Sequence, residues 1–161
     1  MILSFKTKIN GKPTNFVEKI WEGFLQKGIQ FKAVEMKIGM EALPEDYKVK
    51  THHPKLHTIR KDEKNRWKPG NLIDFFINAR TKDMFRFAPR IKVLSTQQIK
   101  IFHQKNSLEN SAFVYMDDKR MREKQIETLA INDGFESVES FFEYFNEDFT
   151  GKIIHWTDLK Y

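Results

Sequence analysis

The chain has 161 residues, a net charge of +6 and no cysteine. That length suits one domain with a core of its own, and the lack of cysteine excludes disulfides, thiolate nucleophiles and cysteine-based zinc sites. No apolar run approaches the roughly 20 residues that span a bilayer, and the opening MILSFKTKIN does not read as a signal peptide, so the expectation is a soluble cytoplasmic protein with no membrane partner.

ILSFKTKI, residues 2–9, alternates as a strand does, and Asn10-Gly11 closes it as a turn. From Pro13, PTNFVEKIWEGFLQKG sets Phe16, Val17, Ile20, Trp21, Phe24 and Leu25 on one helical stripe, with Gly28 as the stop. Residues 29–54 offer no firm element and read as an insertion. LHTIR then reads as a strand with Leu56, Thr58 and Arg60 on one side and His57 and Ile59 on the other. A turn at Lys68-Pro69-Gly70 leads into a strand over 72–79. MFRFA (84–88), RIKVLSTQQIKIFHQ (90–104) and SAFVYM (111–116) are β-rich. The period then changes. KRMREKQIETLAINDGF is helical to about Ile131, and SVESFFEYF is a second helix with Val138, Phe141, Phe142 and Phe145 inward and Ser137 as N-cap. GKIIHWTDLKY closes the chain as a strand.

A strand, a helix, a run of strands, two helices and a closing strand make an α+β domain. Short strands without regular helical crossovers argue against a doubly wound parallel sheet. A small mixed β-barrel flanked by helices fits the order, and one domain covers residues 1–161.

Charge is concentrated. Residues 48–68 hold eight Lys or Arg against two acids, so this window carries as much net positive charge as the whole chain. Such a patch suits a polyanion, most often nucleic acid; the alternatives are a solvated lysine-rich loop or a surface for an acidic protein partner. No glycine-rich phosphate loop, HExxH or DxDxDG motif occurs. His52, His53 and His57 have no grouped carboxylate to complete a zinc site, so neither metal nor cofactor is expected. Arg60 has the forked geometry that holds a phosphate, or pairs with Asp62 or Asp133. Trp67 either covers the end of the barrel or offers a platform for a base. Asp133 and Glu136 have the spacing of a capping box, and His155 and Trp156 either close the barrel or line its cleft.

PKLHTIRKD and RWKPGNLIDFF, led by the ILSFK strand and helix and followed by STQQIKI and DGFESVESFFEYF, together resemble an ASCH domain of the PUA-like superfamily. The resemblance covers most of the chain except the segment around 29–54. It implies a PUA-like small mixed β-barrel with a charged cleft suited to RNA or a modified nucleobase. Residues Arg60, His57, Lys61, Arg66 and Trp67 are then the expected contacts to RNA or a modified nucleoside or nucleotide. Bacterial amidohydrolases of that superfamily act on N4-acetylcytidine with a lysine, a threonine and a glutamate. The Lys-x-x-Thr spacing falls on Lys55 and Thr58, the arginine two residues later on Arg60, and the acid on Asp133, one methylene shorter. The resemblance thus implies, as an alternative, a small amidohydrolase with Lys55, Thr58 and Asp133 as its trio. A threonine hydroxyl needs a neighbouring base, and a lysine serves only if its pKa falls from about 10.4 toward neutrality. Lys55 and Thr58 face opposite ways in a regular strand, so they converge only if Lys55 precedes it, as Pro54 allows.

Overall fold

A computed structural model describes residues 1–32, 37, 53–105 and 110–161. The fold is α+β. In chain order it runs β1 (Ile2–Phe5), β2 (Lys8–Ile9), β3 (Lys12–Pro13), α1 (Phe16–Gln26), β4 (His57–Arg60), β5 (Leu72–Ile77), β6 (Phe85–Arg86), β7 (Ile91–Lys92), β8 (Ser95–Lys105), β9 (Asn110–Met116), β10 (Lys119–Arg120), α2 (Glu123–Asn132), α3 (Val138–Tyr144) and β11 (Phe149–His155). The expected insertion at 29–54 lies mostly outside the described residues; of its described part, Ile29 and Phe31 pack against α1 and the core beneath it.

Two sheets carry the architecture. In the first, β1 runs parallel to β5, and β6 and β7 pair antiparallel with β5. The second is antiparallel, in the order β10-β9-β8-β11-β4. β2 and β3 form a separate hairpin through Asn10-Gly11, both at positive φ, the geometry that a two-residue hairpin turn needs. None of the described sheets closes on itself as a barrel.

Each sheet has its own core. Val17, Ile20, Trp21 and Phe24 of α1 lie on the first sheet against Leu3, Phe5, Ile73, Phe75 and Phe87. Leu25, expected on the same stripe, is 61% exposed at its edge. The helix ends as expected at Gly28: Gly28 N–H bonds Leu25 O and Ile29 N–H bonds Phe24 O, the paired bonds of a Schellman motif. The second core lies between the five-stranded sheet and α2 and α3, where Ile99, Ile101, Val114 and Ile153 meet Ile126, Leu129, Phe141 and Phe145. Ser137 caps α3, accepting from Ser140 N–H. β4 and β11 divide the two cores. Alternation sends Ile154 and Trp156 into the first and Ile59 and Ile153 into the second. No helix among the described residues is long and apolar enough to cross a membrane.

Candidate functional site

The dividing strands carry a buried polar cluster. The segment entering β4 is clamped on both sides by main-chain bonds: Lys55 N–H donates to Lys19 O of α1 and Leu56 N–H to Asn132 O of α2, each at 2.8 Å. A methyl group at Gly23 would lie 2.7 Å from the Lys55 carbonyl oxygen, so α1 approaches this closely only because position 23 has no side chain. Lys55 therefore precedes the strand, the condition for convergence with Thr58, although Thr58 pairs with Ile154 on the first-core face. The Lys55 side chain is 1% exposed.

The Lys55 ammonium donates to the Asp133 main-chain oxygen and lies 3.0 Å from Asp133 Oδ1. It also sits 4.6 Å from the centre of the Phe16 ring. Asp133 is not the cap of α3 that its spacing with Glu136 suggests. It ends α2, and the next residue, Gly134, turns the chain at φ +90°. Gly134 N–H bonds Ile131 O and Phe135 N–H bonds Ala130 O, again a Schellman motif, which needs a residue tolerant of positive φ. That turn sends the Asp133 carboxylate inward, where Oδ1 accepts Ile59 N–H at 3.2 Å.

His57 joins the same carboxylate. Its Nδ1 is 3.3 Å from Asp133 Oδ1, near enough to feel the charge but not aligned as a hydrogen bond. Its Nε2 lies 2.7 Å from the Tyr161 hydroxyl, which accepts from Asn132 Nδ2 at 3.0 Å. An amide nitrogen only donates, so the Tyr161 oxygen accepts there and keeps its own hydrogen to give to His57 Nε2 in the tautomer that leaves Nε2 bare. That tautomer carries the His57 proton on Nδ1, facing the Asp133 carboxylate. Across the strand pair, His155 stacks edge-on to His57 at 5.4 Å, and neither of its ring nitrogens meets a hydrogen-bond partner among the described residues.

Burial and charge oppose one another here. Burial pulls the Lys55 amine down to about 8, although the Asp133 carboxylate works against it. Burial alone would raise Asp133, but Lys55 and His57 outweigh it and hold the carboxyl below the usual carboxylate value. His57 is lowered by burial, with Asp133 resisting. His155 falls to about 3 through burial and the neighbouring His57. The Tyr161 hydroxyl is raised by burial.

Arg60 lies at the same boundary, on the first-core side. Its Nη2 donates to Ser4 O at 2.7 Å, its guanidinium lies 5.0 Å from the centre of the Phe5 ring, and its buried Nε has no hydrogen-bond partner among the described residues. Thr58 is buried and pairs in register with Ile154, which belongs to the first core. Alternation thus places Thr58 on the Arg60 face of β4, opposite His57.

The other expected contacts are elsewhere. Lys61 is exposed and pairs with Glu63 at 2.8 Å. Arg66 is exposed, and its main-chain N–H is held by Asp62. Trp67 is 5% exposed within the first core, so its ring serves packing and not an open platform. His53 is exposed, and His52 lies outside the described residues. The described part of the basic window, residues 53–68, therefore does not line one hollow. A groove of about 960 Å³ beside it includes Lys61 and Lys152 but also Asp62, Glu63, Asp117, Glu147 and Asp148. Among the described residues no cluster of three or more His, Asp or Glu is arranged to hold a metal ion.

A smaller cavity of about 150 Å³ opens between the β2–β3 hairpin, α1 and α3. Phe16, Lys19 and Gly134 form its inner wall, with Phe135, Ser140 and Glu143 opposite. Lys19 is buried, donates to Gly134 O at 2.8 Å and pairs with Glu136. The Lys55 amine sits directly behind Phe16 and Gly134, since a Cβ on Gly134 would touch both the Phe16 ring and Lys55 Cδ. Tyr161, Asn132, Lys19 and Phe16 belong to the site without having been expected there. Only Phe16 carried a sequence signal, and that signal was for a helix stripe.

Comparison with family models, with curated proteins and with solved structures returned no match.

Proposed function

We propose that the chain is an ASCH-like domain of PUA-like architecture that binds a modified nucleoside or nucleotide, or the RNA that carries it, with Lys55, His57, Arg60 and Asp133 at the base of the site. The observation that carries this reading is a lysine removed from water and held 3.0 Å from a buried carboxylate. Burying two such ions costs several kcal/mol each before their attraction is counted, and apolar side chains of similar size would stabilise the fold as well. Perturbed pairs of this kind gather at functional sites. The adjoining cavity, about 150 Å³, is well below the roughly 300–1,000 Å³ that encloses a drug-sized ligand. Its size favours a single base or acyl group over a strand, and Phe16 and Phe135 supply aromatic walls for it. Support for a PUA-like interior comes from β4 and β11, whose two faces serve both cores. Calorimetric titration with cytidine, N4-acetylcytidine and a short RNA tests the proposal. Saturable binding that is lost in Lys55→Met supports it; absence of binding to all three rejects it.

A second reading, hydrolysis of an N4-acylated cytidine, is favoured by one observation: the Lys55 amine is brought down to about 8. A fraction of it is then free base near neutral pH and able to accept a proton. Asp133 holds that amine, while Thr58, on the other face of β4, would leave the attack to water. Incubation with N4-acetylcytidine, followed by its ultraviolet change, separates a hydrolase from a binder. A hydrolase shows a rate that rises with pH up to about 8 and vanishes in Lys55→Met.

A further inference from the structure

The outer face of the β8–β9–β10 corner presents aromatic and basic side chains that neither core uses. On β8 and β9 the residues Ile99, Ile101, Val114 and Met116 point into the second core. Their alternates, Lys100 and Phe102 on β8 and Phe113 and Tyr115 on β9, point the other way. The register sets Lys100 opposite Tyr115 and Phe102 opposite Phe113, and Arg120 of β10 opposite Tyr115 on its far side. Phe102 is 44% exposed, and Phe113 and Tyr115 are half-buried. None of the three belongs to either hydrophobic core. Toward β4 the same face is covered by the first sheet and α1; toward β10, among the described residues, it leaves Phe102 and Arg120 exposed.

The rings support one another. Phe102 and Tyr115 meet edge to face at 5.8 Å and 78°, an arrangement that consumes the face of only one ring. Arg120 lies 4.3 Å from the centre of the Phe113 ring. Phe113 and Tyr115 are two residues apart on one strand, about 7 Å. Positive charge surrounds them. Arg120 is exposed, and a groove of about 680 Å³ continues from Phe113 and Arg120 past Arg122 and Lys124, with Glu123 as its one acid. Lys100 is paired with Asp118 at 2.7 Å, so it contributes its stem more than its charge.

We infer that this face binds single-stranded nucleic acid, with bases stacked on Phe102, Phe113 and Tyr115 and phosphates held by Arg120, Arg122 and Lys124. A second copy of the chain would bring the same cations against one another, which disfavours self-pairing, whereas a polyanion with exposed ring faces complements both features. Stacking needs no particular sugar, so RNA and DNA strands share the site. A duplex, whose bases are already stacked on one another, does not. The site is separate from the cavity beside Lys55 and does not depend on what that cavity holds.

The test uses the full chain and labelled oligo(rU) and oligo(dT) strands of about twelve nucleotides, within the span that single-strand grooves cover, followed by fluorescence anisotropy. Binding to both strands, weakening steeply between roughly 50 and 200 mM salt, is expected, with a matching duplex far weaker. Phe102→Ala and Tyr115→Ala each reduce affinity roughly five- to hundredfold, and Arg120→Gln lowers both affinity and salt slope. Unchanged circular dichroism and melting temperature show that these substitutions outside both cores leave the fold intact. Lys61→Gln and Arg66→Gln, on the other basic segment, leave strand binding as it was. The inference is overturned if neither strand binds at low salt, if the aromatic variants bind like the parent, or if Lys61→Gln and Arg66→Gln carry the loss instead. Self-association of the free chain that Phe102→Ala abolishes would equally overturn it, by assigning the face to a second copy.

Discussion

The Tyr161 hydroxyl stands 2.7 Å from His57 Nε2 and takes a hydrogen bond from Asn132 Nδ2 at 3.0 Å. One oxygen thus connects Tyr161 to β4 and to the end of α2, and by donating to Nε2 it favours the tautomer with the His57 proton on Nδ1, toward Asp133. Tyr161→Phe removes the hydroxyl and leaves both the His57 nitrogen and the Asn132 amide unsatisfied. The expected loss is about 1–3 kcal/mol of stability, read from urea unfolding with an unchanged slope. Nitrogen chemical shifts of His57 move with it, because the tautomer is no longer favoured.

Lys55 and Asp133 should behave as a coupled pair. Asp133→Leu leaves a buried ammonium unpaired, and Lys55→Met leaves a buried carboxylate, each costing about 3–5 kcal/mol. The double variant Lys55→Met with Asp133→Leu removes both charges and is expected to be more stable than either single variant. A double-mutant cycle measures this directly. If the two single losses simply add, the pair is not coupled.

Alkaline conditions should stabilise the protein. Burial brings the Lys55 amine down to about 8 in the fold, against 10.5 for a lysine in water. Between those values the unfolded chain holds a proton that the folded chain has released, so stability rises with pH across that window. The gain is at most about 3 kcal/mol, and unfolding midpoints measured from pH 8 to 10 check it. Lys55→Met should flatten this limb.

Acid should act through the histidines before it reaches the carboxylates. His155 is depressed to about 3 from 6.5, and His57 is lowered as well. Below pH 6.5 the unfolded chain takes up protons that the folded chain refuses, so stability falls as pH falls from 6.5 toward 3. Each histidine contributes about 1.4 kcal/mol per pH unit at most. His155→Phe is expected to reduce the slope between pH 6 and 4 by up to half, measured by denaturant titration at each pH. The depressed Asp133 adds to the loss only below its unfolded value of 3.8.

Gly134→Ala tests how the turn holds the amine. The position has φ +90°, and an added Cβ would lie 3.0 Å from the Phe16 ring and 3.1 Å from Lys55 Cδ. Backbone strain and overpacking together predict a loss of about 1–4 kcal/mol, with a shift in the Lys55 ammonium resonance. A neutral substitution would show that Phe16 moves freely.

Helix α1 could be read from its stripe because the apolar spacing and the Gly28 stop act locally. The same holds for Ser137, whose capping bond reaches only three residues. The strands around 90–104 were visible as β-rich, but their break between β7 and β8 was not, since Val93 N–H and Leu94 N–H find partners at Asn71 and His155, far along the chain. The basic window misled for a similar reason. Its charge is contiguous in sequence, yet Lys55 turns inward to a carboxylate 78 residues away, while Asp62 folds the next stretch back by accepting Arg66 and Trp67 N–H. That small loop buries the Trp67 ring and leaves Lys64, Arg66 and Lys68 in water. Asp133 fitted a capping box by spacing, but the glycine after it ends one helix before the next begins. The aromatic face on β8 and β9 left a trace, the alternation itself, but nothing local says which side of a sheet stays uncovered.

The clamp on the strand entering β4 ties the chemistry of Lys55 to the mechanics of the whole molecule. Its two main-chain bonds reach α1 and α2, and each helix rests on a different core. Any tilt of one helix relative to the other therefore pulls on the same short tether. A ligand that seats well on the amine would stiffen both halves at once, and a packing defect far out in either half would be felt as a misplaced proton.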